Sequence, residues 1–185
     1  MDFDKMEPKD DDLKVFDLQN ELLKEAEILL GSRDSSKKIY HPSWDNDGPH
    51  IRYSPSKDGA CAELGTNAKN DWMMCVYQLA HEVIHLLDQH GGDQTTLLEE
   101  GIAVKFSLDM LEKYGFESTD LPTALTYKNA LLTLNKIDSD PYKVVKKCRQ
   151  LCGNFISIDK ITLLSICTNI DESILDILLE KPIMR

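Results

Sequence analysis

Leu79-Ala80-His81-Glu82-Val83-Ile84-His85 is the stretch from which the rest of the chain is read. It lies inside Trp72–Gln89, where Trp72, Val76, Leu79, Val83 and Leu86 recur at helical spacing. At about 100° per residue these five fall within about 40° of one direction, the mark of a helix packing one stripe into a core. Asn70 or Asp71 supplies the N-cap. His81 projects roughly opposite that stripe, and His85, four positions on, lies within about 40° of His81. Met74, Tyr77, Gln78 and Asp88 share their side and are expected to floor a cleft.

Two imidazoles so placed reach one divalent ion at the usual ~2.0–2.1 Å nitrogen distance. Glu82 lies beside His85 on the wheel, where its carboxylate reaches a water without becoming a ligand. The pattern H-E-x-x-H arises by chance in about one chain in a hundred of this composition, so its neighbours must decide. Past the Gly91-Gly92 turn, Leu97-Leu98-Glu99-Glu100-Gly101-Ile102-Ala103 sets acids inside an apolar helix. Glu100 shares a face with Leu97, Ala103, Val104, Ser107 and Leu111, and a carboxylate on a packed face requires a cation or a strong partner. His81, His85 and Glu100, leaving a position for water, are a known catalytic zinc set. His90 is an alternative third ligand, although a histidine at a helix C-terminus commonly just complements the dipole. Gly101 is expected to let the histidine and glutamate helices approach closely.

Outward from this centre the chain reads as α+β. Leu13–Leu30 has helical period and ends at Gly31, a good stop. Lys37–His41, His50–Ser54 and Ala60–Gly65 are extended candidates separated by turn residues, which predicts a small antiparallel sheet. Thr96 with Glu99 fits a capping box for a helix running to Tyr114 and ending at Gly115. Residues 121–136, 141–151, 160–168 and 172–179 read as further helices. The expected organisation is a solvated, disordered acidic lead over 1–12, a minimal catalytic domain over 13–115 and a helical cap over 116–185. Its apolar positions from Phe155 onward would cover one side of that domain.

The net charge of -11 argues against nucleic acid or an anionic membrane as partner, since both demand a positive surface. Five cysteines form an odd, irregular set, and Met1–Asp12 carries six acidic residues where a secretory signal is basic and apolar. A cytoplasmic location is expected, with Cys148 and Cys152 as small buried hydrophobes.

These motifs resemble the gluzincin clan of zinc metallopeptidases. Leu79–His85 matches the active-site helix, and Leu97–Ala103 is similar to the aminopeptidase-type N-E-G-x-A glutamate helix, which selects Glu100 over Glu99. The resemblance covers about Ala60 to Leu111. It implies a Zn²⁺ cofactor on His81, His85 and Glu100, Glu82 as general base, and Ala62, Glu63, Leu64 and Gly65 as a substrate-facing edge strand. The chain departs from the pattern in having only fourteen residues between His85 and Glu100. It also has Val104 where many members place an acid that orients a histidine. Asp109 or a backbone carbonyl is the expected substitute. Tyr114, Tyr127 and Tyr142 are candidate oxyanion donors. Arg52 is a candidate for holding a substrate carboxylate, whereas His41 and His50 read as surface or strand residues and Trp44 and Trp72 as packing anchors. The expected activity is hydrolysis of a peptide or protein substrate by zinc-activated water. The alternatives are a zinc-binding regulatory or sensor protein without catalysis, and a helical scaffold with a coincidental motif.

Overall fold

The computed structural model describes residues 3, 6–89, 94–118, 120–168 and 170–182. The fold is α+β. Helix α1 (Asp12–Leu30) is capped by the Asp11 carboxylate, which accepts from the Lys14 N–H, and stops at Gly31 with φ 91°. Four strands follow, β1 (Lys38–Ile39), β2 (Ser43–Asp45), β3 (His50–Tyr53) and β4 (Gly59–Gly65). Helices α2 (Trp72–Leu87) and α3 (Leu97–Lys113) carry the motifs, and α4 (Leu125–Leu134), α5 (Pro141–Cys152), α6 (Lys160–Ile166) and α7 (Glu172–Leu178) complete the chain. Among the described residues no helix is long and apolar enough to cross a membrane.

The sheet corrects the antiparallel expectation. Strands β1 and β2 both run parallel to β4, and only β3 is antiparallel to it. The carbonyls of Asp58 and Ala60 accept from Lys38 and Tyr40 on one side, while that of Gly59 accepts from Ser54 on the other. Strand β4 is therefore the centre of the sheet. The expected edge strand Ala62–Gly65 is paired along both sides, because alternate residues turn their polar groups to opposite edges. Gly59 permits this crowding, since a Cβ there would lie 2.3 Å from the Lys38 carbonyl oxygen.

One apolar core unites these elements. Leu18, Leu22 and Leu30 of α1, Leu64 of β4, Leu79 and Val83 of α2, Phe106 of α3, Val145 of α5 and Leu175 of α7 belong to a single buried cluster. The residues assigned to a cap thus share a core with the motif helices. The acidic lead makes contacts with the core while most of its described side chains stay exposed: Phe3 packs 5.0 Å from the Trp72 ring, Pro8 is buried, and the Trp72 indole donates to the Met6 carbonyl. An indole N–H in a core needs an acceptor, and the lead supplies it.

Candidate metal centre

Asp71 caps α2 through the N–H groups of Met73 and Met74, which fixes where the helix begins and hence its rotational phase. Trp72, Val76, Leu79, Val83 and Leu86 are buried as the stripe requires. The opposite face is buried too, because α3 lies across it. Thr96 caps α3 by accepting from the Glu99 N–H. That fixes which residues of α3 meet His81 and His85.

The expected trio converges. One ligating atom from each of His81, His85 and Glu100 lies within 4.8 Å of the others. Nε2 of His81 is 3.1 Å and Nε2 of His85 3.8 Å from Oε2 of Glu100. Donors at ~2.0–2.1 Å from one tetrahedral ion lie about 3.4 Å apart, so these separations bracket what such an ion needs. The side chains of His81 and Glu100 are each 7 % exposed and Glu82 is buried. Glu82, Glu99 and Glu100 bring more negative charge than two imidazoles offset as single cations, and a divalent ion suits that balance. The residues present therefore fit a divalent metal ion.

Electrostatics follow from burial and mutual proximity. Burial raises the Glu82 pKa, against the lowering pull of His81 and His85. Burial also acts to raise that of Glu100, but the His81 hydrogen bond and the charges of both histidines reverse it, and the net direction is down. Burial would lower His85. The charge of Glu100, the hydrogen bond to Glu99 and the charges of Glu99 and Glu82 overcome it and lift His85 to about 10.

A cavity of about 710 Å³ opens onto the trio, lined on one wall by His50, Ile51 and Tyr53 of β3 and on the other by Tyr127 and Lys181. Tyr127 is the one tyrosine of the three candidates that lines it, its ring 5.2 Å from the His81 ring. Tyr114 instead donates to Glu21, and Tyr142 donates to Asp109 at 2.7 Å. Asp109 is also paired with Lys105, so it does not orient a histidine. Glu99 does: its Oε1 lies 2.7 Å from His85 Nδ1. The capping box hid this role, for only the Thr96 half forms as expected and the Glu99 carboxylate reaches a histidine.

The cleft floor expected from the wheel is otherwise assigned. The Gln78 side chain accepts from the Gly65 N–H and donates to Asn67, and Asp88 binds Arg149 through two hydrogen bonds. Gly101 faces α4, not α2: a Cβ would sit 2.9 Å from the Ala130 carbonyl oxygen and 3.1 Å from Leu134 Cβ. This close approach seats the helix that carries Tyr127. Arg52 is engaged by Glu63 and Asp45, and His41 stacks on Phe16. His90 lies outside the described residues. No protein-family model, curated protein or solved structure matches this chain.

Proposed function

We propose that the chain is a zinc-dependent, metallopeptidase-like hydrolase of gluzincin type, cleaving peptide or amide bonds with Glu82 as general base. The observation that carries this reading is a buried carboxylate in excess of the ligand set: His81, His85 and Glu100 suffice for the ion, and Glu82 lines the same cavity. A purely structural zinc site closes its fourth position with a ligand and has no use for such a group.

Zinc, when bound to His81, His85 and Glu100, supplies Lewis-acid polarisation of a carbonyl and activation of water. The chain's own residues supply the remainder. Burial raises the affinity of Glu82 for a proton, which suits a group that accepts one from water and returns it to a leaving amine. Glu99 holds the His85 ring through Nδ1 and leaves Nε2 directed at Glu100. Burial, reinforced by the charges of Glu100 and Glu82, pushes the Tyr127 phenol up, so it keeps its proton and acts as a donor. Register favours β3 over β4 as the strand that faces substrate. The carbonyl of Gly59 accepts from Ser54, so Ile51 and Tyr53 turn their main-chain groups away from β4, and both line the cavity. A peptide lying in that cavity along Ile51 runs past Glu82.

The test is cleavage of a peptide library by wild-type protein and by Glu82→Gln, with metal content measured for both. Equal metal and a loss of turnover of roughly 10²–10⁴-fold in the variant is the expected result. Equal turnover removes Glu82 from the chemistry. Equal metal with no cleavage by either protein favours a non-catalytic zinc sensor.

A further inference from the structure

A second set of donors converges on the sheet. Asp45 of β2, His50 of β3 and Glu63 of β4 each offer one ligating atom within 4.8 Å of the others. Nε2 of His50 is 3.0 Å from Oε2 of Glu63 and 4.0 Å from Oδ2 of Asp45. Both carboxylates are anchored by their other oxygen. Oε1 of Glu63 accepts from the Ser43 hydroxyl at 2.9 Å, and Oδ1 of Asp45 accepts from the Asp47 N–H at 3.1 Å. Each outer oxygen is thereby fixed and each inner oxygen is aimed at the imidazole. Orientation of this kind is what metal ligands require of their neighbours.

The same two inner oxygens hold a cation already. Arg52 places Nε 2.6 Å from Oε2 of Glu63 and a terminal nitrogen 3.1 Å from Oδ2 of Asp45. Burial is unequal across this pair: the Glu63 side chain is 3 % exposed and that of Arg52 60 %. The carboxylate is fixed in the interior and must be neutralised, whereas the guanidinium stands largely in solvent. With Arg52 in place the set carries one positive against two negative charges. A divalent ion would balance both carboxylates and gain the imidazole nitrogen, a ligand that guanidinium cannot use.

We propose that Asp45, His50 and Glu63 form a second divalent-cation site, in which Arg52 is the exchangeable counter-ion. His50 lines the cavity that also opens onto His81 and His85, so solvent ions reach both sets by one route. The donors sit on three adjoining strands of one sheet, which holds their spacing rigid. One imidazole and two carboxylates suit zinc and its borderline neighbours.

Titration of the metal-free full chain with Zn²⁺ against a competing chelator, counting equivalents, tests this. Wild type is expected to take up two equivalents, the weaker at the strand site. His50→Ala and Asp45→Asn, at partly exposed positions, are expected to take up one. Arg52→Gln is the decisive variant. Removing a competing positive charge at this range tightens the second equivalent by about tenfold or more. If the network were only an ion pair, Arg52→Gln would bind no more zinc than His50→Ala does, and that result overturns the proposal. Paired His81→Ala and His85→Ala substitutions separate the two sites. Loss of one of two equivalents with the strand equivalent retained supports both, and a single wild-type equivalent that survives the paired substitutions and is lost in His50→Ala removes the helix site while leaving the strand site standing.

Discussion

Nδ1 of His85 lies 2.7 Å from Oε1 of Glu99, the residue immediately before the candidate ligand Glu100. Neighbours on a helix diverge by about 100°, so α3 grips one imidazole from both ends. Glu99 meets Nδ1, while Glu100 approaches Nε2 at 3.8 Å. Two adjacent acids thus divide between the two nitrogens of one imidazole.

Replacing Glu99 by Ala leaves Nδ1 without this acceptor and frees the ring to rotate. Metal affinity is expected to fall about 10–100-fold, measured by chelator competition, with the helical signal unchanged. Glu99→Gln retains an accepting oxygen and should recover part of the loss. Wild-type affinity in Glu99→Ala would mean that His85 is held by something else.

The charge on His85 gives a pH signature. In metal-free protein its pKa is lifted from 6.5 to about 10, so its stabilisation is complete below about pH 6.5 and disappears as pH climbs through 10. A metal replaces the proton on Nε2, so uptake releases it and apparent affinity rises with pH, by up to about tenfold per unit for one proton. Denaturation midpoints between pH 6 and 10 should fall with chelator present and hold when metal is bound. Rising metal-free stability across that window would contradict this protonation state.

Gly101→Ala sets two effects against each other. Alanine favours the helix by up to about 1 kcal/mol. Its Cβ would meet the Ala130 carbonyl oxygen at 2.9 Å, and overpacking against backbone costs about 1–3 kcal/mol. Net destabilisation is expected in a urea titration, together with displacement of α4 and Tyr127. A stabilised variant would show that α4 moves at no cost.

Arg149 binds Asp88 at 2.7 and 2.9 Å, donates to the carbonyls of Leu30, Gly31 and Ser32, and stacks 4.9 Å from the Phe155 ring. Both charged side chains are 5 % exposed or less. Arg149→Met strands a buried carboxylate at the end of α2 and should cost about 3–5 kcal/mol. Adding Asp88→Asn keeps an acceptor for the Phe155 N–H and removes the charge, so the double variant should be more stable than the single one. Additive losses in urea would deny the coupling.

The helices were legible because their signals are local. Asp71, Thr96 and Gly31 stop and start them where expected, and the apolar stripe of α2 sets its phase. Strand β2 escaped notice because Ser43-Trp44-Asp45 is three residues set between His41-Pro42 and Asn46-Asp47-Gly48, with no alternation to detect. The alternation of β4 is identical whether its neighbours run parallel or antiparallel, so it could not reveal that both edges are covered. Asp109 had the right chemistry and the wrong side of α3, where Tyr142 and Lys105 take it.

By itself the sequence determined that His81 and His85 share a face, that Glu82 stands beside them and that a glutamate pair follows on the next helix, because helical geometry fixes angles over four residues. Only the tertiary structure decided that Glu99 meets Nδ1 while Glu100 joins the donors, that Tyr127 is the one of the three candidate tyrosines to reach the cavity, and that β4 lies between its neighbours. Those outcomes depend on how α3 lies across α2, how near Gly101 lets α4 come and which strands flank β4. Such distances are set by packing between segments far apart in the chain, and no local periodicity encodes them.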